Sequence, residues 1–137
     1  MQTDISDRVR KWNVAEEFQH LSADEHGALY EKVADQSAVA CINLSWDTNI
    51  GNMIRTAAQF GIGHFHILGR RKYDKRSTVG THYNIPLERI FAMKNLNSDE
   101  LDVKTLFTVL TELQATYKLV FIEQVPHAYN YTDISVR

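Results

Sequence analysis

The sequence predicts an α/β fold, a parallel sheet with helices on both faces. Short apolar runs of strand length, AVACINL at 38–44 and HFHIL at 64–68, alternate with segments of helical period. The change of period falls at polar turns and glycines, where elements end. Strands alternating with helices imply right-handed crossovers, and therefore strands that run the same way.

Taken in order, residues 1–36 are polar and helical in tone, a helical extension before a domain over 37–137. Ser22 and Glu25 have capping-box spacing and start a helix running to about Ala34. The run 38–44 reads as a buried strand ended by the polar turn SWDT. From Asn49 to Phe60, Ile50, Ile54, Ala57, Ala58 and Gly61 share one helical face, while Asn52, Arg55, Thr56 and Gln59 share the other. Asp47 or Thr48 can cap this helix, and Gly61 and Gly63 end it. A second strand at 64–68 leads into the loop GRRKYDKRSTVG and a short helix. A third strand is expected near 87–92. Next comes a helix over 102–117 with Val103, Leu106, Phe107, Leu110 and Leu113 on one face, and a last strand, KLVFIE, at 118–123. The tail beyond it is irregular. A parallel sheet places its working loops at the carboxyl ends of its strands. The turn before Asn49 and the loop after Leu68 therefore share one edge.

Composition bounds the function. A chain of 137 residues has the size of one compact domain. The net charge of −2 excludes a uniformly basic nucleic-acid binder but leaves room for a local basic patch. One cysteine, Cys41, cannot form an intramolecular disulfide and fits a reducing compartment. It lies within an apolar run and reads as a buried, inert thiol. No apolar run approaches the roughly 20 residues of a membrane span. MQTDISDRVRKW lacks the apolar centre of a signal peptide, so the chain reads as soluble and cytoplasmic.

Three groups could carry chemistry. Asn49 stands at the strand-to-helix turn, with an amide that both donates and accepts. Gly51 leaves room for another backbone or a ligand to approach. Arg55, one turn on, can bind phosphate bidentately or favour a deprotonated hydroxyl. A lone N-x-G-x-x-x-R fits an ordinary solvated helix face equally well. The second group is Arg70, Arg71, Lys72, Lys75 and Arg76, opposed only by Asp74. Such a cluster suits RNA phosphate contacts, as it suits a solvated loop. Tyr73 could stack on an unpaired base, and Ser77, Thr78 and Gly80 could add hydroxyls and close backbone approach. Finally, His64 and His66 share a strand face, but no second pair at ligand spacing accompanies them, so no metal site is expected. Glu88 and Glu123 are possible general bases without a nucleophile beside them.

Read together, these pieces resemble the first half of the SpoU-type catalytic domain of the SPOUT superfamily of RNA methyltransferases. The family's first motif is an apolar strand, then Asn-x-Gly-x-x-x-Arg-x-Ala and a closing Phe-Gly. Asn49, Gly51, Arg55, Ala57, Phe60 and Gly61 match it in order and spacing. HFHILGRR and STVG resemble the strand, basic loop and Ser-x-x-Gly turn that follow, so the likeness covers roughly 38–125. It implies the Rossmann-like half of an α/β-knot domain. The implied activity is 2′-O-methylation of tRNA or rRNA with S-adenosylmethionine, in a homodimer when full-length. Arg55 inherits activation of the ribose 2′-hydroxyl, with Asn49 shaping the site. Asn52, Arg70, Arg71, Lys72, Lys75, Arg76 and Ser77 are the expected RNA-binding residues.

The family's second motif, Gly-x-Glu-x-x-Gly, and its third, with a Ser-Leu-Asn run, form the cofactor-binding knot. Neither occurs before Arg137. The expectation is a domain truncated before the knot, with no cofactor-binding residue in this chain, exposing a sheet edge open to self-association. Two other readings stay open. One is a non-catalytic RNA-binding module on the same fold. The other is an α/β domain for a small ligand, which lacks a phosphate-cradling glycine loop after its first strand.

Overall fold

The computed structural model describes residues 16–44, 48–123 and 125–133. Three parallel strands form its sheet: β1 (Ala38–Asn43), β2 (His64–Gly69) and β3 (Leu87–Phe91), in the order β1-β2-β3. The register aligns Cys41 with Ile67 and Arg89 on one face, and Ala40 with His66 and Glu88 on the other. As the central strand, β2 is buried from Phe65 through Gly69.

Three helices accompany the sheet: α1 (Ala23–Val33), α2 (Thr48–Gln59) and α3 (Val103–Thr116). The period read from 49–60 is realised in α2. Ile50, Ile54 and Ala57 are buried and join Cys41, Phe65, Ile67, Tyr73 and Ile85 in the main core. Asn52, Arg55, Thr56 and Gln59 face outward. Gly61 adopts φ 71°, the left-handed turn that ends such a helix. The expected cap at Asp47, within the turn 45–47, lies outside the described residues.

Both crossovers step the same way across the sheet, so right-handed connections put them on one face. Accordingly α2 packs against the 3₁₀ turns Lys75–Thr78 and Thr81–Tyr83 that join β2 to β3. By contrast, α3 contributes nothing to that core. Its buried residue, Val109, lies apart from it, as does Leu68, which is buried on the opposite sheet face. Helices thus lie on both faces.

The capping box of α1 is formed, with the Ser22 hydroxyl accepting from the Glu25 amide and the Ser22 amide donating to Glu25 Oε2. Tyr30 packs on the core and donates from its hydroxyl to the Ile62 carbonyl at 2.6 Å. Residues 1–15 of the expected extension are outside the described residues.

Two sequence expectations need correction. KLVFIE at 118–123 forms no strand. Its apolar content suggested one, but a strand also needs a hydrogen-bonded neighbour, and the sheet stops at β1. In α3 the buried side is turned toward Val109. Leu106, Leu110 and Leu113 are half-buried, whereas Val103 and Phe107 are exposed because the apolar stripe is wider than the surface it covers. Among the described residues, no helix is long and apolar enough to cross a membrane.

Candidate functional site

The carboxyl ends of β1 and β2 meet the first turn of α2 and the loop 70–78, as strand order requires. Two local features hold this edge together. The first is Asn43, the last residue of β1, which is fully buried. Its side-chain amide donates to the carbonyls of Arg70 at 2.9 Å and Lys72 at 2.8 Å. The Arg70 amide returns a bond to the Asn43 carbonyl. One side chain therefore sets where the basic loop leaves the sheet. Its own Oδ1 is buried and has no protein partner among the described residues.

The second feature is Gly51. A Cβ built there would lie 1.8 Å from Ser77 Oγ, 2.9 Å from Ser77 Cβ and 3.0 Å from the Thr78 amide nitrogen. The expected close backbone approach is therefore made by the chain's own loop. The 3₁₀ turn Lys75–Thr78 sits on the bare first turn of α2. Ser77 donates its hydroxyl to the Asp74 carbonyl and Thr78 to the Lys75 carbonyl, so both hydroxyls brace that turn. Val79 then takes φ 52°, a left-handed conformation a β-branched residue adopts only under constraint.

Arg55 is exposed one turn beyond Gly51, and its guanidinium makes no hydrogen bond or ion pair with the described residues. Asn49 is not beside it. Helical geometry puts the two about 120° apart around α2. Asn49 and Asn52 line a separate open groove of about 540 Å³ with Val39, Met53, Thr56, Phe60 and Ile62.

The basic cluster divides. Arg76 is paired with Asp74, Nη2 to Oδ2 at 2.7 Å, which holds the Asp74 carboxyl below its ordinary value. Arg70 is paired with Asp99 and donates to the Ser98 carbonyl, clamping the loop 95–100. Arg71, Lys72 and Lys75 are exposed, and Arg71 and Lys75 make no ion pair among the described residues. Tyr73 points inward to the core and cannot stack on a base; burial raises its phenol above the usual range. His82 Nδ1 is hydrogen-bonded to the Thr78 hydroxyl, whose own proton goes to the Lys75 carbonyl, so the ring nitrogen donates; burial, then the charges of Lys75 and Arg89, lower its pKa.

On the opposite sheet face, His66 Nδ1 lies 3.0 Å from Glu88 Oε2. Glu88 thus has a histidine beside it and not a nucleophile. Among the described residues no three side chains are grouped to hold a metal. Cys41 is buried, and burial pushes its thiol up to about 12.

Comparison with known protein families, curated proteins and solved structures finds no match. The methyl donor implied by the sequence resemblance carries an ammonium, a carboxylate and an adenine. The groove beside α2 offers no charged side chain to the first two. That groove therefore supplies neither charge with an ion-pair partner.

Sequence reading found Gly51, Arg55 and the basic loop but missed Asn43. Its signal was present: a lone amide at the end of an otherwise apolar run.

Proposed function

We propose that the chain contacts RNA and presents a ribose 2′-hydroxyl for methylation, in the manner of SpoU-type enzymes acting on tRNA or rRNA. The observation that supports this most is the seat at Gly51. It brings the basic loop against the same helix on which Arg55 stands exposed, without an ion pair among the described residues. Arg71, Lys72 and Lys75 would meet phosphates, which positions RNA without reading its sequence. A ribose hydroxyl is a poor nucleophile, and a fixed guanidinium favours its alkoxide form. On this reading the described residues act on the nucleic-acid side of the reaction.

A second reading, a non-catalytic RNA-binding module, draws on the uncharged lining of the groove beside α2. Two measurements on the intact protein separate them: methyl transfer from labelled S-adenosylmethionine to unmodified tRNA or rRNA, and RNA affinity across salt. The first reading expects transfer that falls by about 10²-fold in Arg55→Ala with RNA affinity retained. Undiminished transfer removes Arg55 from the chemistry. Salt-dependent RNA binding without transfer, or heat on adding the donor, supports the module.

A further inference from the structure

We propose that Tyr83 is a stacking platform for an unpaired base, so that the chain takes its RNA single-stranded at this point. The proposal rests on the RNA reading and narrows it to a class of substrate. The aromatic ring that the sequence offered among the basic residues, Tyr73, is turned into the core. Tyr83 is the ring that the same crossover leaves outside, 46% exposed. Phe60, Phe107, Phe121 and Tyr129 are barer, but none belongs to the basic crossover between β2 and β3. The platform is held from behind. The turn Thr81–Tyr83 packs on α2, the Tyr83 amide donates to the Gly80 carbonyl, and Ile85 just beyond it is a core residue. The His82 ring lies against that of Tyr83, with centroids 4.1 Å apart and planes 36° apart. His82 in turn donates from Nδ1 to the Thr78 hydroxyl, in the turn that sits on Gly51. The seat at Gly51 thus fixes the backing of the ring as well as the basic loop. A ring fixed before binding loses little freedom when a base stacks on it.

Charge selects the occupant. Residues 70–89 hold six Lys or Arg against two Asp or Glu, in a chain whose net charge is −2. Lys75 opens the 3₁₀ turn that carries Thr78. Arg89 stands exposed on β3, level with Ile67 and Cys41, on the sheet face that carries α2 and both 3₁₀ turns. Beyond the effect of burial, the charges of Lys75 and Arg89 depress the pKa of His82, which puts both cations close to the ring that backs Tyr83. An apolar peptide gains nothing from two cations beside the ring. A nucleotide brings a π-face for the tyrosine and a phosphate for the charges. A base within a duplex has both faces covered by its neighbours, so only an unpaired one can offer a face. Little sequence preference is expected, because every base has such a face.

Fluorescence anisotropy on the full chain tests this, with a labelled single-stranded RNA of about a dozen nucleotides and a blunt RNA duplex of the same length. The single strand is expected to bind more tightly. Tyr83→Ala should weaken the single strand by about 10- to 100-fold and the duplex by less than about twofold, while Tyr83→Phe, which keeps the ring, should retain both affinities. A second readout uses the unmodified chain and so does not depend on how a variant folds. Single-stranded RNA carrying 5-iodouracil, irradiated in the complex, should cross-link to Tyr83. Cross-links confined to other residues, or equal losses for single strand and duplex in Tyr83→Ala, overturn the platform. RNA binding that Tyr83→Ala leaves unchanged overturns the platform alone and spares the RNA reading. Failure of the unmodified chain to bind either RNA overturns both.

Discussion

Replacing Gly51 by alanine tests whether a missing side chain seats the loop. In an ordinary helix this change is favourable, by about 0.5–1 kcal/mol, because glycine loses more backbone freedom on folding. Here the new methyl would meet Ser77 Oγ at 1.8 Å, Ser77 Cβ at 2.9 Å and the Thr78 nitrogen at 3.0 Å. The hydroxyl can rotate away, at the expense of its bond to the Asp74 carbonyl, a loss of about 1 kcal/mol. The other two atoms move only with the backbone, and overpacking of that kind costs about 1–3 kcal/mol. The net expectation is a destabilisation of about 1–3 kcal/mol. Gly27, in α1, has nothing within 4 Å of a built Cβ, so Gly27→Ala is the control and should stabilise. Urea unfolding of both variants gives the comparison. Adding Ser77→Gly to Gly51→Ala removes the two shortest contacts and should recover part of the loss. If Gly51→Ala stabilises the protein as Gly27→Ala does, the seat is not a packed contact and the reasoning fails.

Other outcomes follow from the same edge of the sheet. Asn43→Leu keeps the shape but strips the Arg70 and Lys72 carbonyls of their donor. It should cost about 2–4 kcal/mol in chemical denaturation and raise exchange at residues 70–72. Neutralising Arg71 and Lys75 together should flatten the dependence of log RNA affinity on log salt by about two, whereas Arg76→Gln, whose charge is spent on Asp74, should change it much less. Burial lowers the folded-state pKa of His82 from 6.5, so the unfolded chain takes up its proton first as pH falls. Stability should therefore be full above about 6.5, decline below it, and level off beneath the lowered value, and His82→Phe should flatten this limb. A decline that persists unchanged in that variant would assign it to another group.

The sheet and α2 were legible because their signals are local. An apolar run, a change of period and a terminating glycine each act within a few residues. Gly51 was legible for the same reason, since a glycine in the first turn of a helix demands a neighbour. What failed depended on distant partners. Tyr73 stands within a basic, polar loop, yet that loop folds back on α2 and turns the ring into the core. Arg70 and Arg76 read as free charges until Asp99 and Asp74 are placed beside them. KLVFIE has the composition of a strand, but composition cannot show whether a neighbouring strand is paired to it.

The order β1-β2-β3 has a further consequence, for how the chain acquires its shape. Each strand pairs with the one made just before it, and no later segment must be inserted between them. Ala38 pairs with His64 and Phe65 with Leu87, so each pairing closes a crossover of about two dozen residues, the least a parallel neighbour of this kind requires. The site matures along the same line. Asn43 and α2 emerge first, and the basic loop is then hung on them within about thirty residues of synthesis. The seat of the loop on Asn43 and Gly51 can thus be assembled by the growing chain before residues beyond β3 are added, and the clamp of Arg70 on Ser98 and Asp99 follows.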